Sequence, residues 1–236
     1  MKKSKIILIA LAIFWSAFIF IMFLSFRINS DNNKHEKACF KAEKNASEIK
    51  YIKINTSNTF GFITIHRKQN ANIIEVPEMK KFADEYLKYY IINDTLIINL
   101  KSNPGIFKGK IDIYLPKFEY VKANRCGISF VDWSKTDTCK KLNLDFNEVY
   151  NNYNSPSDMV YAKDLNLNMK CCYYKIVCNN IIKNADISLY GTNLNLEMKT
   201  GILKGKMTFN SNLNISKSDS LQNEVIKDKT STININ

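Results

Sequence analysis

A chain of 236 residues, 45% hydrophobic and 24% charged, is long enough for one domain of about 150 to 200 residues with an appendage and short for two full domains. Its net charge of +12 suits polyanions, acidic lipid or cell-wall polymer, and equally a plain solvated basic surface. Two isolated histidines, His35 and His66, and the absence of C-x-x-C spacing give no metal site. Nor is there a Ser-His-Asp order, a phosphate-cradling glycine loop or a nucleotide fingerprint, so no cofactor and no catalytic residue is predicted.

In chain order, the first element is the apolar run 6–26, IILIALAIFWSAFIFIMFLSF. At 1.5 Å per residue a helix of that length spans a hydrocarbon core of about 30 Å. A cleaved signal would be shorter and end on small residues, whereas Phe20, Phe23 and Phe26 crowd the exit. An uncleaved signal-anchor over 1–29 is therefore expected. Lys2, Lys3 and Lys5 are nearly balanced by Arg27, Lys34, Lys37 and Lys41. A cytoplasmic N-terminus still follows, because long domains translocate largely regardless of charge. Cys39 lies too far from the apolar run to carry a lipid.

A polar spacer, 30–47, leads into a β domain over 48–216. Alternation of Ile52 and Ile54, then of Phe60, Phe62 and Ile65, predicts half-buried strands. PEMKKFADEYL, with Met79, Phe82 and Tyr86 at helical spacing behind Pro77, predicts one short helix. A hairpin turning at Asn93-Asp94 and the strand KIDIYLP complete this half.

The second half repeats one unit: LNLDF from 142, LNLNM from 165, LNLEM from 194 and LNIS from 213. Strands DISLY and KMTFN fall between units and imply more than one strand per repeat. Periods near 20 with a strand each point to a β-solenoid. Stacked in register, Leu142, Leu165, Leu194 and Leu213 would form one inward column, Leu144, Leu167, Leu196 and Ile215 the next, with Asn143, Asn166, Asn195 and Asn214 outward. The polar tail 217–236 is expected to fray.

Cys126 with Cys139, and Cys178 with Cys171 or Cys172, are candidate disulfides in an exported chain, buried free thiols being the other reading. In the stacked register Asp145 and Glu197 would share an outward position about 10 Å apart, near the upper limit for an inverting glycosidase pair. Tyr173, Tyr174 and Lys175 form an aromatic-basic step on the predicted outward surface. No nucleic-acid motif is present.

The order of an FGFITIHR-type opening, IIEVPEMKKF, DTLIINL, GKIDIYLPKFEYVKANRCG and then L-x-L repeats resembles the auto-transporter adhesin, head GIN domain family over roughly 47–216. The run from Lys110 to Gly127 carries most of the likeness. Gly-Ser-Gly turns usually follow the strands of that family. Here Asn, Lys and Cys stand in those places, as in RCGIS and KCCYYK. The resemblance implies a right-handed β-helix-like fold, an exported location and an adhesion-like role without catalytic residues. The expectation is a single-pass protein of a bacterial envelope, its domain on the periplasmic or extracytoplasmic side. Its partner is the membrane, with an envelope polymer, a glycan or another envelope protein beyond it. The alternatives are a structural or regulatory envelope sensor acting through a protein partner, and a glycan-cleaving enzyme.

Overall fold

The structure, a computed structural model, describes residues 15–16, 18–22, 37–41, 49–57, 60–67, 73–79, 87–101, 110–131, 139–151, 159–216 and 221–235. The chain forms two units, Met1–Glu36 and Lys37–Asn236. In the first, 15–16 and 18–22 are helical and exposed. Among the described residues no helix is long and apolar enough to cross a membrane, and most of the run 6–26 lies outside them.

The second unit is a β-solenoid of about five turns with two walls. The first wall stacks β5 (Leu87–Ile92), β6 (Thr95–Leu100), β2 (Tyr51–Thr56), β8 (Tyr120–Asn124), β10 (Cys139–Asn147), β12 (Ala162–Lys170) and the second halves of β13 (Tyr173–Tyr190) and β14 (Asn193–Thr208), ending on β16 (Gln222–Lys227). The second wall begins with β1 (Lys37–Lys41), β4 (Ile73–Met79), β7 (Lys110–Leu115), β3 (Phe60–Arg67) and β9 (Cys126–Val131). Bridges from Gly127 to Tyr150 and from Tyr150 to Tyr173 carry it on to the first halves of β13 and β14, then β15 (Asn212–Ile215) and β17 (Thr232–Ile235). The short β11 (Met159–Val160) flanks β13. Pairing is parallel except at the N-terminal end, where β5 lies antiparallel on β6, and β4 antiparallel on β7 and on β1.

Period-two alternation sends every second side chain into the space between the walls. On the first wall Leu96, Ile52, Val121, Leu144, Leu167 and Ile187 stack coil upon coil. Beside them run Ile98, Ile54, Ala123, Phe146, Met169, Leu189 and Met207. Nearly all are 0–2% exposed. Each large aliphatic side chain so buried contributes about 1.5–3 kcal/mol of hydrophobic stabilisation. Small Ala123 sits in register with Phe146, leaving room for the ring. Tyr174, 0% exposed, packs its ring at 5.3 Å from that of Phe146 and donates its hydroxyl to the Ile128 carbonyl at 3.2 Å.

The passage from first wall to second is made in the left-handed region, with φ between 53° and 58°, by Arg125, Glu148, Cys171, Gly191 and Phe209, the last followed by a second such residue, Asn210. Their amides donate in a ladder to Asn147 O, Lys170 O, Tyr190 O and Thr208 O, and for Phe209 to the Asp228 carboxylate, at 2.8–3.2 Å. The Asp228 carboxyl is pulled down to about 2 by its bonds, that from Ser231 foremost and that from the Phe209 amide next. Past each corner one residue turns inward: Cys126, Val149, Cys172, Thr192 and Ser211, with Ser231 in the same place on the last coil. In the later coils its hydroxyl meets the amide of the coil before: Cys172 N to Thr192 Oγ1 at 3.2 Å, Thr192 N to Ser211 Oγ at 3.3 Å, Ser211 N to Ser231 Oγ at 3.2 Å. The Cys172 thiol reaches the Lys170 carbonyl at 3.2 Å, as the Thr192 hydroxyl reaches that of Tyr190 at 3.0 Å. RCGIS and KCCYYK thus lie at corners of the coil.

Several expectations change. Leu142 and Leu165 do pair, as do Leu144 and Leu167, but the next partners are Ala185 and Ile187. Leu194 and Leu196 lie on the second wall between Tyr174 and Ile176 on one side and Leu213 and Ile215 on the other. The single column of four becomes two columns because each coil holds a strand on both walls. Spacings of 23 and 19 residues are full coils, whereas the step from 165 to 194 also changes wall. Pro77 to Met79 belong to β4 instead of starting a helix, and 80–86 fall outside the described residues. The pairing of β4 with β1 shifts register between Val76 and Met79, where a residue lacking an amide hydrogen is tolerated. Strand β1 falls within the expected spacer, and β16 and β17 within the expected frayed tail, both paired in parallel to the coil before.

Gly205, at φ 133°, stands in register with Ile187, and a Cβ there would overlap the Ile187 carbonyl. Gly205→Ala is expected to destabilise by more than about 1 kcal/mol, read as a lower midpoint in urea. Thr192→Val, which strips the acceptor from the buried Cys172 amide, is expected to cost about 1–3 kcal/mol. Thr192→Ser, keeping the hydroxyl, is expected to recover most of that loss in the same titration.

Candidate functional site

The outward residues of the first wall form a grid, because parallel in-register coils repeat each outward position along the stack. One line runs Tyr51, Tyr120, Asn143, Asn166, Asp186 and Lys204. The next runs Lys53, Lys122, Asp145, Asn168, Ser188 and Lys206. A third carries Asn124, Asn147, Lys170 and Tyr190. At the centre lies an open hollow of about 320 Å³ lined by Tyr120, Asn143, Asp145, Asn166, Asp186 and Ser188 among others.

Asp145 is the hub of this hollow. The Tyr120 hydroxyl donates to its Oδ2 at 3.0 Å, Lys122 Nζ lies 3.0 Å from the same oxygen, and Asn168 Nδ2 donates to Oδ1 at 3.0 Å. Above it the Asn143 and Asn166 amides meet at 2.9 Å, and Tyr51 stands edge-on to Tyr120 with centroids 6.0 Å apart. Partial burial, followed by the bond to Asp145 and its charge, pushes the Tyr120 phenol up to about 12. The surface therefore offers fixed amides, a braced carboxylate, a hydroxyl and a second carboxylate at Asp186, in rows one strand apart. It can bond and orient the hydroxyls of an extended ligand. Among the described residues no group of three or more His, Cys, Asp or Glu could hold a metal ion.

Of the residues singled out from the sequence, Asp145 is in this hollow and Glu197 is not. Glu197 pairs in register with Val177 on the second wall and forms an ion pair with Lys175, beside a smaller hollow of about 190 Å³. With the two carboxylates on different walls, the glycosidase geometry has no basis. Tyr173 is outward and 39% exposed, but Tyr174 is core, since neighbours on a strand face opposite sides. His66, taken as isolated, meets Asp112 at 3.0 Å and stacks on Tyr114 at 4.2 Å on the second wall.

Cys126, Cys139, Cys171, Cys172 and Cys178 are free thiols, only Cys171 being exposed. Burial pushes the Cys126 thiol up to about 12 and Cys172 to about 11, and raises Cys178 further. Cys172 lies close enough to raise the Cys126 thiol slightly, and Cys139 that of Cys178. Burial also raises Cys139, which the Arg67 guanidinium opposes. Such thiols are poor nucleophiles.

Tyr120, Lys122 and Asp186 were not singled out in advance. Alternation marks each as outward, but only the coil register brings them to Asp145. A folded-state pKa raised above 10.0 favours the native state fully below pH 10 and loses that contribution as pH rises through about 12. Asp145→Asn is expected to bring the Tyr120 ionisation down towards 10, stopping short because burial is the larger cause. Ultraviolet difference titration of wild type, Asp145→Asn and Tyr120→Phe checks this.

No family profile matches the chain, and no curated protein does. Among solved structures, a protein provisionally named as an adhesin from Bacteroides fragilis aligns over 86% of this chain and 98% of its own, at 12% identity and TM-score 0.55. A similarly named protein from Parabacteroides merdae covers 86% and 97% at 13% identity and TM-score 0.39. A provisionally named lipid binding protein from Parabacteroides distasonis covers 86% and 98% at 10% identity and TM-score 0.43. At these identities the likeness is one of fold, and the Bacteroides fragilis structure carries it: this chain shares its β-solenoid architecture with a protein named for adhesion.

Proposed function

We propose that this is an exported envelope protein, held to the membrane by its apolar segment 6–26, whose β-solenoid binds a polymer without altering it. The observation that carries the binding half is the hollow of the first wall, where Asp145 is braced by Tyr120, Lys122 and Asn168. A carboxylate already bonded on both oxygens is organised to hold a ligand. It is poorly placed to act as a general acid or base, which needs reach to a substrate proton. The adhesion-like role implied by the head GIN resemblance agrees with this, as does the name of the Bacteroides fragilis structure of like fold. The anchoring half rests on the length and apolarity of 6–26 and the bulk of Phe20, Phe23 and Phe26.

Cross-linking intact cells and isolating the full chain is expected to recover cell-wall or surface glycan. An Asp145→Ala/Asp186→Ala variant should recover several-fold less at equal abundance. Recovery of a single inner-membrane protein in place of glycan would favour the regulatory alternative. Protease added to intact spheroplasts is expected to digest the β domain, and a protected domain would reverse the orientation.

A further inference from the structure

One ledge of the first wall is built differently from the hollow beside it. Tyr190 and Phe209 are 41% and 55% exposed, and their rings stack at 4.8 Å with only 4° between planes. Lys170 Nζ sits 5.6 Å over the Tyr190 ring. On the following coil Lys204 and Lys206 are exposed and form no ion pair among the described residues. Phe209 takes the left-handed corner position, φ 58°, that Gly191 fills one coil earlier at φ 54°. Arg125, Glu148 and Cys171 take the same position in earlier coils, and Phe209 is the one aromatic side chain among these described corners. Here it thrusts an aromatic ring into solvent in line with a second ring and within one coil of three lysines.

We infer that this ledge is a stacking subsite for an anionic saccharide: the apolar C–H face of a sugar ring lies on the outer face of Phe209, which Tyr190 backs from the other side, while carboxylate, sulfate or phosphate groups on the chain meet Lys170, Lys204 and Lys206. The inference rests on the polymer-binding reading and gives it a substrate class. Rings flanked by lysines also suit single-stranded nucleic acid. The adjoining hollow favours sugar, because its amides, hydroxyls and carboxylates are partners for the many ring hydroxyls of a saccharide, which a single-stranded DNA chain lacks. Strands spaced about 4.8 Å apart also place successive polar rows close to the rise of one sugar in an extended chain.

The test uses the full chain in detergent, with polygalacturonate and dextran sulfate as anionic probes, and neutral dextran, single-stranded DNA and anionic phosphatidylglycerol vesicles as competitors. The wild type is expected to bind at least one anionic polysaccharide tenfold or more tighter than dextran, DNA or vesicles. Phe209→Gly removes the ring and relieves the backbone, so binding should fall tenfold or more while the unfolding temperature holds or rises. That opposite response separates lost binding from lost fold. Lys204→Gln/Lys206→Gln should weaken binding and flatten its salt dependence. Unchanged binding in Phe209→Gly overturns the ledge while leaving polymer binding intact if Asp145→Ala/Asp186→Ala still loses it. Preference for DNA, vesicles or neutral dextran, or no binding to either anionic probe, overturns the assignment to an anionic saccharide.

Discussion

A solenoid stacks only if each coil can turn from one wall to the next without leaving a buried amide unmet, since an unsatisfied donor costs about 1–3 kcal/mol. This chain meets the constraint with a pair of residues repeated from coil to coil, adjacent except where Asn210 separates Phe209 from Ser211. The first, in the left-handed region, passes its amide to an oxygen of the next coil, a backbone carbonyl in four corners and the Asp228 carboxylate at Phe209. In the later coils the second turns inward and receives its bond from a hydroxyl. Arg125, Glu148, Cys171, Gly191 and Phe209 play the first part; Cys172, Thr192, Ser211 and Ser231 play the second or supply its hydroxyls. Registers on both walls follow from that seam. A coil displaced by one residue would put charged side chains between the walls and turn its apolar ones to face water.

Because register is fixed there, the outer surface is fixed too. The Asn143 to Asn166 contact and the run Asn195, Asn214, Asn234, bonded at 2.7 Å per step, are ladders of like amides made continuous by in-register stacking. The Asp145 hub belongs to the same order, with one partner on the coil before, one in the coil after and a lysine alongside. Binding capacity on such a surface comes from rows of modest groups at constant spacing. A deep cleft is not required, and a ligand with its own repeat suits it best.

Much of this was legible in the residues. Alternation found β2, β3, β6 and β7, and Asn93 at φ 54° makes the predicted hairpin turn. LNLDF and LNLNM pair residue for residue as expected. What escaped was the change of wall between the second and third LNL units, for a period-two pattern reads the same on either wall. The corners escaped as well. Their left-handed residues are mostly not glycine, so no local composition marks them, and only the ladder to neighbouring coils shows their common role. Tyr174 looked like part of a surface motif because its neighbours Tyr173 and Lys175 are outward, while parity along the strand puts it in the core. Met79 sits at helical spacing with Phe82 but is drawn into β4 by pairing with β1, a tertiary effect that overrides a short local pattern.

The placement of β2 gives the molecule a built-in order of assembly. Its neighbours on the wall are β6 and β8, and its bonds span 44 residues to Asn99 and 68 to the Asn124 carbonyl. From β10 onward, coil-to-coil bonds such as those along the asparagine ladders and from Asn151 to Lys175 span 19 to 24 residues. Closing short loops costs less chain entropy and happens sooner. As the chain emerges, β2 must therefore wait, unpaired, until β6 has followed it, and its other edge stays open until β8 arrives. The later coils can zip onto one another as they appear. The strands first to leave the ribosome are among the last to find their places, and in that interval their Ile52 and Ile54 need shelter from other chains.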